Sequence, residues 1–509
     1  MKNRSLFSKS LSSQSLLAQS LRARIFCGLL IAVATLGLAS CHSADYYYYK
    51  FPQYTFANRP VPPSKLANRV LVSVSVNGTT GSLPILDAKR DIRNNVENTV
   101  TSFSISGYGA GYPNLILNFP EQVHGYVYSD LKGDISSVDY SKETAAANVG
   151  SFPTRSTSLA IPPGSTHIYS AEQTIGQLGI IDNTTGKTYG LVIPNVDKVA
   201  VNQGDTVVLA MVSTSNTVYR VVRLNDNQFA TAQLATAATG AVDCEPFTLP
   251  VYCAVPVPGN YDRPIGAYFS LDGSSAYILN CGRECGGNTS SITIVQQGIL
   301  RTDAIPTAPP PYPSPFISNV LVPGGVTTVL STSDTLYVAG QQLQPDGLFA
   351  GFLSTINLAA AVTSPATAVT GQYSISDGTH TKLLFADDNT LWIGSQSCAT
   401  GERAKLKQNY NCLTRFDLGA KTAQIIPKVD PTDAKSSVPY PNTNQDQYYY
   451  GSLTGLCWVQ GLHKMYTAYG GQVHAFNTVD GSEINNQFIT VQGTALDVAY
   501  MDAVTNVAN

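Results

Sequence analysis

The residues best suited to chemistry in this sequence are its cysteines, nine in 509 residues. Six of them fall into near pairs: Cys244 with Cys253, Cys281 with Cys285, and Cys398 with Cys412. In an oxidising compartment such spacing predicts three local disulfides that pin loops. Zinc is the competing use for Cys281-Gly-Arg-Glu-Cys285, but it needs a second Cys/His pair at ligand spacing, and the sequence supplies none. Cys457 lies in the apolar string Gly455-Leu-Cys-Trp-Val459, where a buried thiol packs as a small hydrophobe. His124, His167, His380, His463 and His474 are dispersed, without a His-x-His or His-Glu-x-x-His spacing. Only His463 and His474 fall on adjacent strands of one expected hairpin.

Catalytic motifs fail on spacing. A serine nucleophile elbow needs Gly-x-Ser-x-Gly because glycine tolerates that strained turn, and Gly451-Ser-Leu-Thr-Gly455 is out of register. Thr185-Gly-Lys-Thr188 ends like a phosphate loop, yet Ile181 stands where the first glycine must be, so a hairpin turn is expected. Gly107-Tyr-Gly-Ala-Gly111 lacks dinucleotide-loop spacing and reads as a loop. Asp262 with Arg263, at the entrance to an expected inner strand Pro264–Tyr268, is the one charged pair worth following. No catalytic residue, metal ligand or cofactor is assigned from these patterns.

The elements that must position any site form a repeat. A polar turn, an apolar strand, a loop and a second strand recur from Pro163-Gly-Ser-Thr-His-Ile-Tyr169 to Gly461-Leu-His-Lys-Met-Tyr466. Its anchors Tyr169, Val208, Tyr277, Tyr337, Trp392 and Tyr466 stand 39, 69, 60, 55 and 74 residues apart. The second strand often ends in a polar residue, as at Asp182, Asp417 and Asn477. Turn chemistry followed by apolar alternation describes antiparallel hairpins, and no long 3.6-residue period predicts long helices. A unit near 40 residues with insertions is a propeller blade. Seven blades are expected, or eight if Arg69–Asp87 and Pro113–Tyr128 are counted separately. Thr494–Tyr500 reads as the lone inner strand that closes the ring and removes its open edge. Insertions are expected at Ala241–Asp262, Ile305–Phe316 and Asp430–Tyr450, too wet and proline-rich for core. They carry the surface on which a partner acts.

Charge and the N-terminus set the compartment. A net charge of −3 leaves no basic footprint for nucleic acid. Residues 1–24 hold Lys2, Arg4, Lys9, Arg22 and Arg24 and no acid, and the apolar run Ile25–Leu38 is too short to span a bilayer. That order predicts an export signal over residues 1–40. Leu38-Ala39-Ser40-Cys41 resembles the lipobox of bacterial lipoproteins. The resemblance implies cleavage before Cys41, lipid on its sulfur and its new amine, and an envelope location; His42 after the Cys, instead of Asp, permits outer-membrane delivery by resemblance to enteric sorting rules. A soluble exported protein cut near Ala39 is the alternative. Without residues 1–40 the chain has 26 Lys+Arg against 34 Asp+Glu, a charge of −8, so attachment must rest on acyl chains rather than a basic patch. Residues 41–67, with Tyr46–Tyr49 and a proline-rich run, read as a tether, and residues 68–505 as the propeller.

The "turn-Gly-x-x-Tyr-Val … Val-Ile-Asp" pattern is similar to the YVTN and lactonase-like propellers of bacteria, over roughly residues 68–505. The resemblance implies a scaffold more than an activity. Lactonase-like relatives gather acids and amides around the central channel, whereas Asp87, Asp182 and Asp417 end outer strands here. Asp182–Tyr189 echoes the docking motif of quinone-dependent dehydrogenase propellers, but Trp392 and Trp458 are too few to lock a ring of blades. The expected function is a lipid-anchored module that binds or scaffolds a protein or glycan partner. The alternative is a metal-dependent hydrolase at the channel mouth. Sugar binding through Tyr46–Tyr49 and Tyr448–Tyr450 is a third reading.

Overall fold

The computed structural model describes residues 59, 61–89, 103–164, 166–224, 243–245, 250–270, 272–304, 314–398, 411–427, 451–484, 489 and 491–506. Two compact units divide the chain, Met1–Ala57 with Lys65–Ala67, and Asn58–Ser64 with Asn68–Asn509. All strands among the described residues belong to the second. Among the described residues the longest helix is the six-residue Leu358–Thr363, and no helix is long and apolar enough to cross a membrane.

The strands form eight antiparallel sheets, each one blade of a β-propeller. Blade 1 combines Thr494–Tyr500 as its inner strand with Arg69–Ser75 and the interrupted strand Gly81–Ser82 and Ile85–Asp87. Residues 103–106 add a fourth, hydrogen-bonded edge through Ile85 N to Phe103 O and Ile105 N to Leu83 O. Blades 2 to 8 begin with the inner strands Pro113–Phe119, Ser158–Ala160, Lys198–Val201, Pro264–Phe269, Thr328–Ser331, Thr379–Ala386 and Leu453–Val459. All but blade 4, whose Asp243–Glu245 lies outside the later Val251–Pro256, run outward in chain order, and successive inner strands line the channel. The all-β propeller closed by its C-terminal strand holds. Its count is eight, because Arg69–Asp87 and Pro113–Tyr128 belong to different sheets.

The anchors of the repeat, from Tyr169 to Tyr466, all fall on second strands. Those strands are packed on both faces by neighbouring blades, which is why His167–Glu172 and Ser275–Asn280 are buried at every position. The outer strand Val369–Ser374 instead alternates half-buried and exposed. The hydrophobic core accordingly lies between blades. Tyr169, Leu178, Ile180 and Leu191 of blade 3 pack on Val199, Val208, Val221 and Tyr252 of blade 4, and similar clusters join blades 5 to 6 and 7 to 8.

One expected insertion needs correction. Val251–Pro256, within Ala241–Asp262, is the fourth strand of blade 4 and is buried, since Asp243–Glu245 pairs on its far side and covers it. The neighbouring prolines hid its continuous apolar run, buried from Val251 to Val255. Residues 305–313 and 430–450 lie outside the described residues.

The ring closes on a buried ion triad. Arg69, 1% exposed, donates from N, Nε and Nη2 to Asp502 and from Nη1 to Glu143 of blade 2 at 2.9 Å and to the Tyr140 carbonyl. Around it Tyr140 Oη donates to Asn118 Oδ1 at 2.5 Å, and Asn118 Nδ2 to the Tyr500 carbonyl at 2.9 Å. Every charge in this dry junction meets a hydrogen-bonding partner, as burial demands.

Candidate functional site

Chain path gives the ring two unlike ends. At the turn end, inner strands turn into second strands and third into outer ones. At the loop end, second strands lead to third strands and each blade links to the next.

Most sequence candidates with carboxylates sit at the turn end and hold turns. Asp182 Oδ1 accepts from Thr184 N, Thr184 Oγ1 and Thr185 N, so the Thr185–Thr188 stretch is the hairpin turn expected. Asp417 accepts from Gly419 N and Ala420 N, and Asp87 from Lys89 N. A strand-ending aspartate therefore caps the next bend through local N–H groups. Blade-to-blade locks use the same end. Asp205 of blade 4 accepts from His167 Nδ1 at 2.5 Å and Tyr169 Oη at 2.8 Å of blade 3, and from Thr166 Oγ1. Arg223 Nη1 lies 3.2 Å from His167 Nε2. Asp388 of blade 7 accepts from Thr478 and meets His463 Nδ1 at 2.8 Å.

His463 and His474 do not meet. The register sets Thr467 opposite His474, and His463 precedes the strand. His474 is buried against Glu483 at 2.5 Å instead. Asp262 and Arg263 also work separately. The carboxylate accepts from Asn288 N and Thr289 N, both at 2.7 Å, and the guanidinium donates to the Gly286 carbonyl. Both shape the loop after Cys285.

Two polar groupings escaped the sequence reading. In blade 7, Ser395, His380 and Asp377 are neighbours of the types that make a hydrolytic triad, all buried. Their bonds are wrong for one: Ser395 Oγ donates to the Asp377 carbonyl, and His380 Nε2 to the Ser376 carbonyl at 2.8 Å. Burial takes the His380 imidazole down to about 4, so it stays neutral and structural. In the inner strands, the buried Asp497 of blade 1 accepts from Ile116 N of blade 2 at 2.8 Å and meets Lys382 Nζ of blade 7 at 3.5 Å. Between them blade 8 passes through Gly455, where a Cβ would stand 2.6 Å from Asp497 Oδ1. Ile116 lies 381 and Lys382 115 residues from Asp497, which no local pattern reveals. Among the described residues no group of three or more His, Cys, Asp or Glu is placed to hold a metal.

The loop end carries two of the disulfides and a pocket. Disulfides join Cys281 to Cys285 and Cys398 to Cys412 in second-to-third-strand loops. The third, Cys244 to Cys253, ties register partners at the edge of blade 4. Cys457 is a buried free thiol. Cys41, Tyr46–Tyr49 and Tyr448–Tyr450 lie outside the described residues. Next to Cys281–Cys285 a pocket of about 330 Å³ opens between blades 5 and 6. Its lining includes Arg283, Asn288 and Thr289 of the disulfide loop, Leu321 and Pro323 leaving blade 5, and Gln342 of blade 6.

The loop is held rigidly. Gly282 at φ +61° packs against the backbone of Thr289 and Ser290, so only glycine fits there. Glu284 receives Gln341 N at 2.8 Å and Gln341 Nε2 at 2.9 Å, and Gln341 Oε1 accepts from Gly378 N at 3.1 Å. Three blades are thereby tied at one glutamine. Burial raises the Glu284 carboxyl above its ordinary range despite those bonds. Such a pocket suits recognition of a small group through polar contacts and an aliphatic ledge.

No family model matches the sequence, and no curated protein does. Several solved structures are similar in chain path. Hydrazine synthase of Kuenenia stuttgartiensis shares 11% identity at a TM-score of 0.45, covering 73% of this chain and 96% of that one. The dihydro-heme d1 dehydrogenase NirN shares 11% at 0.47, covering 89% and 78%. The β-propeller domain of Swd1 from Myceliophteria thermophila shares 12% at 0.42, covering 71% and 93%.

Proposed function

We propose that the chain is a lipid-anchored envelope protein, with a YVTN/lactonase-like propeller that binds or scaffolds a protein or glycan partner through its loop end. Anchoring is through acyl chains on Cys41 of the lipobox-like Leu38–Cys41, and outer-membrane delivery is read from His42, which stands after it in place of the aspartate of enteric inner-membrane retention. The observation that carries the binding role is the pocket between blades 5 and 6, walled by a disulfide-closed loop and tied into the ring by Glu284 and Gln341. A rigid scaffold presenting a fixed concave surface is built for recognition.

The anchor is tested by fractionating the full-length protein and Cys41→Ser. The wild type is expected in membranes and the variant in the soluble envelope fraction. Equal membrane association of both removes the lipid from this reading.

A further inference from the structure

The pocket between blades 5 and 6 combines two chemistries. On the disulfide loop, Arg283 spends only Nε, donated to the Asn288 carbonyl at 3.1 Å. Its two Nη groups meet no carboxylate among the described residues. The nearest acid in the sequence, Glu284, has both oxygens occupied by Gln341. The side chains of Asn288 and Thr289, and Nε2 of Gln342, are likewise unspent, while Gln342 Oε1 takes Gln372 Nε2 at 2.8 Å. The other lining is aliphatic: Leu321 is 58% and Leu343 38% exposed, beside Pro323. A cation without a counter-ion thus stands next to uncovered aliphatic surface.

We propose that this pocket captures the carboxyl terminus of a peptide whose last residue is aliphatic. A guanidinium meets a carboxylate through two parallel N–H bonds, which sets both position and direction. The terminal side chain covers Leu321 and Leu343, and the Asn288 amide and Gln342 Nε2 take the last peptide group. About 330 Å³ is at the lower limit of small-ligand sites, enough for a chain end rather than a folded partner. No aromatic ring lines it, so a sugar would find no ring to stack on. The proposal rests on the binding-module reading and is independent of the lipid.

The test uses full-length protein in detergent and calorimetric titration with acetyl-Ala-Ala-Leu as free acid and as C-terminal amide. The acid is expected to bind at least about tenfold more tightly than the amide, the loss of one charge-assisted pair. Arg283→Gln, an exposed change that leaves the loop's disulfide in place, should bring the acid down to the amide's affinity. Leu321→Ser should weaken both forms. Equal binding of acid and amide, or no heat with either while circular dichroism shows a folded chain, overturns the proposal. Binding of a galacturonic acid trimer with a silent peptide overturns it too, and assigns the cation to a sugar acid. Cross-linking of the wild type in cell envelopes separates the levels: a cross-linked partner with a silent peptide discards only the ligand class. A wild type that cross-links to nothing discards the binding module.

Discussion

Two junctions of the ring differ in what fills their centres. Between blades 3 and 4 the contact is mostly aliphatic and aromatic, Leu178, Ile180 and Leu191 against Val199, Val208 and Tyr252. Between blades 1 and 2, where distant parts of the chain meet, Arg69 joins Asp502 and Glu143 amid hydrogen-bonded Asn118, Tyr140 and Tyr500. Blades 3 and 4 are each built from one continuous stretch of chain, whereas blade 1 takes its inner strand from a distant segment. Asp502 lies 433 residues from Arg69, and no linker guides it. Apolar burial is non-directional, whereas an ion triad with fixed forks accepts one register. The contrast teaches that directional bonds such as Asp205 to His167 and Tyr169 supplement an apolar core between blades 3 and 4, whereas at the closing junction a buried ion triad stands at the centre of the contact.

The comparison breaks most directly at Arg69. Arg69→Met leaves Glu143 and Asp502 buried without their cation, and denaturant unfolding should show a loss of about 3–5 kcal/mol. A loss under about 1 kcal/mol would make the closing junction no more directional than its neighbours.

Glu172 sharpens the same point from the apolar side. It is fully buried near Phe152 and Gly179, with Thr154 Oγ1 on one oxygen and no partner on the other. Burial pushes it up to about 7, against the bond from Thr154. Below the ordinary glutamate value of about 4.5 both folded and unfolded chains hold the proton, and nothing is lost. As pH rises from there the unfolded chain ionises first and stability falls, until the full penalty stands above about 7. Glu172→Gln should therefore gain about 2 kcal/mol at pH 8 and nothing at pH 4. A gain of equal size at both pH values would show that charge is not the cause.

The smallest effect is expected at the exposed lock between blades 7 and 8. The bond to Asp388 raises the His463 imidazole above its ordinary value. Its contribution is present below about 6.5 and fades as pH rises through the higher folded value. His463→Ala should lower the melting temperature slightly at pH 5.5 and leave it unchanged at pH 9. The reverse order would remove the ion pair as the reason.

Legibility followed the range of the interactions. Anchors such as Tyr277 and Trp392 marked second strands because burial on both faces writes continuous apolar runs into the sequence. Thr494–Tyr500 was readable as a solitary inner strand for the same reason. Aspartates at strand ends were visible as a pattern, but their work as turn caps needed the backbone N–H groups they face. Val251–Pro256 was masked by flanking prolines. The pocket was not legible at all: Arg283 looked like the middle of a possible zinc loop, and Leu321 and Gln342 belong to different blades. Lys382 and Asp497 meet only because the ring returns on itself.

The strand that completes blade 1, Thr494–Tyr500, follows every other blade in the chain. Until it is made, Arg69–Ser75 waits with one flank unclaimed, an invitation to strands of other molecules. A chain that stops short of Thr494 is left as an unlatched arc.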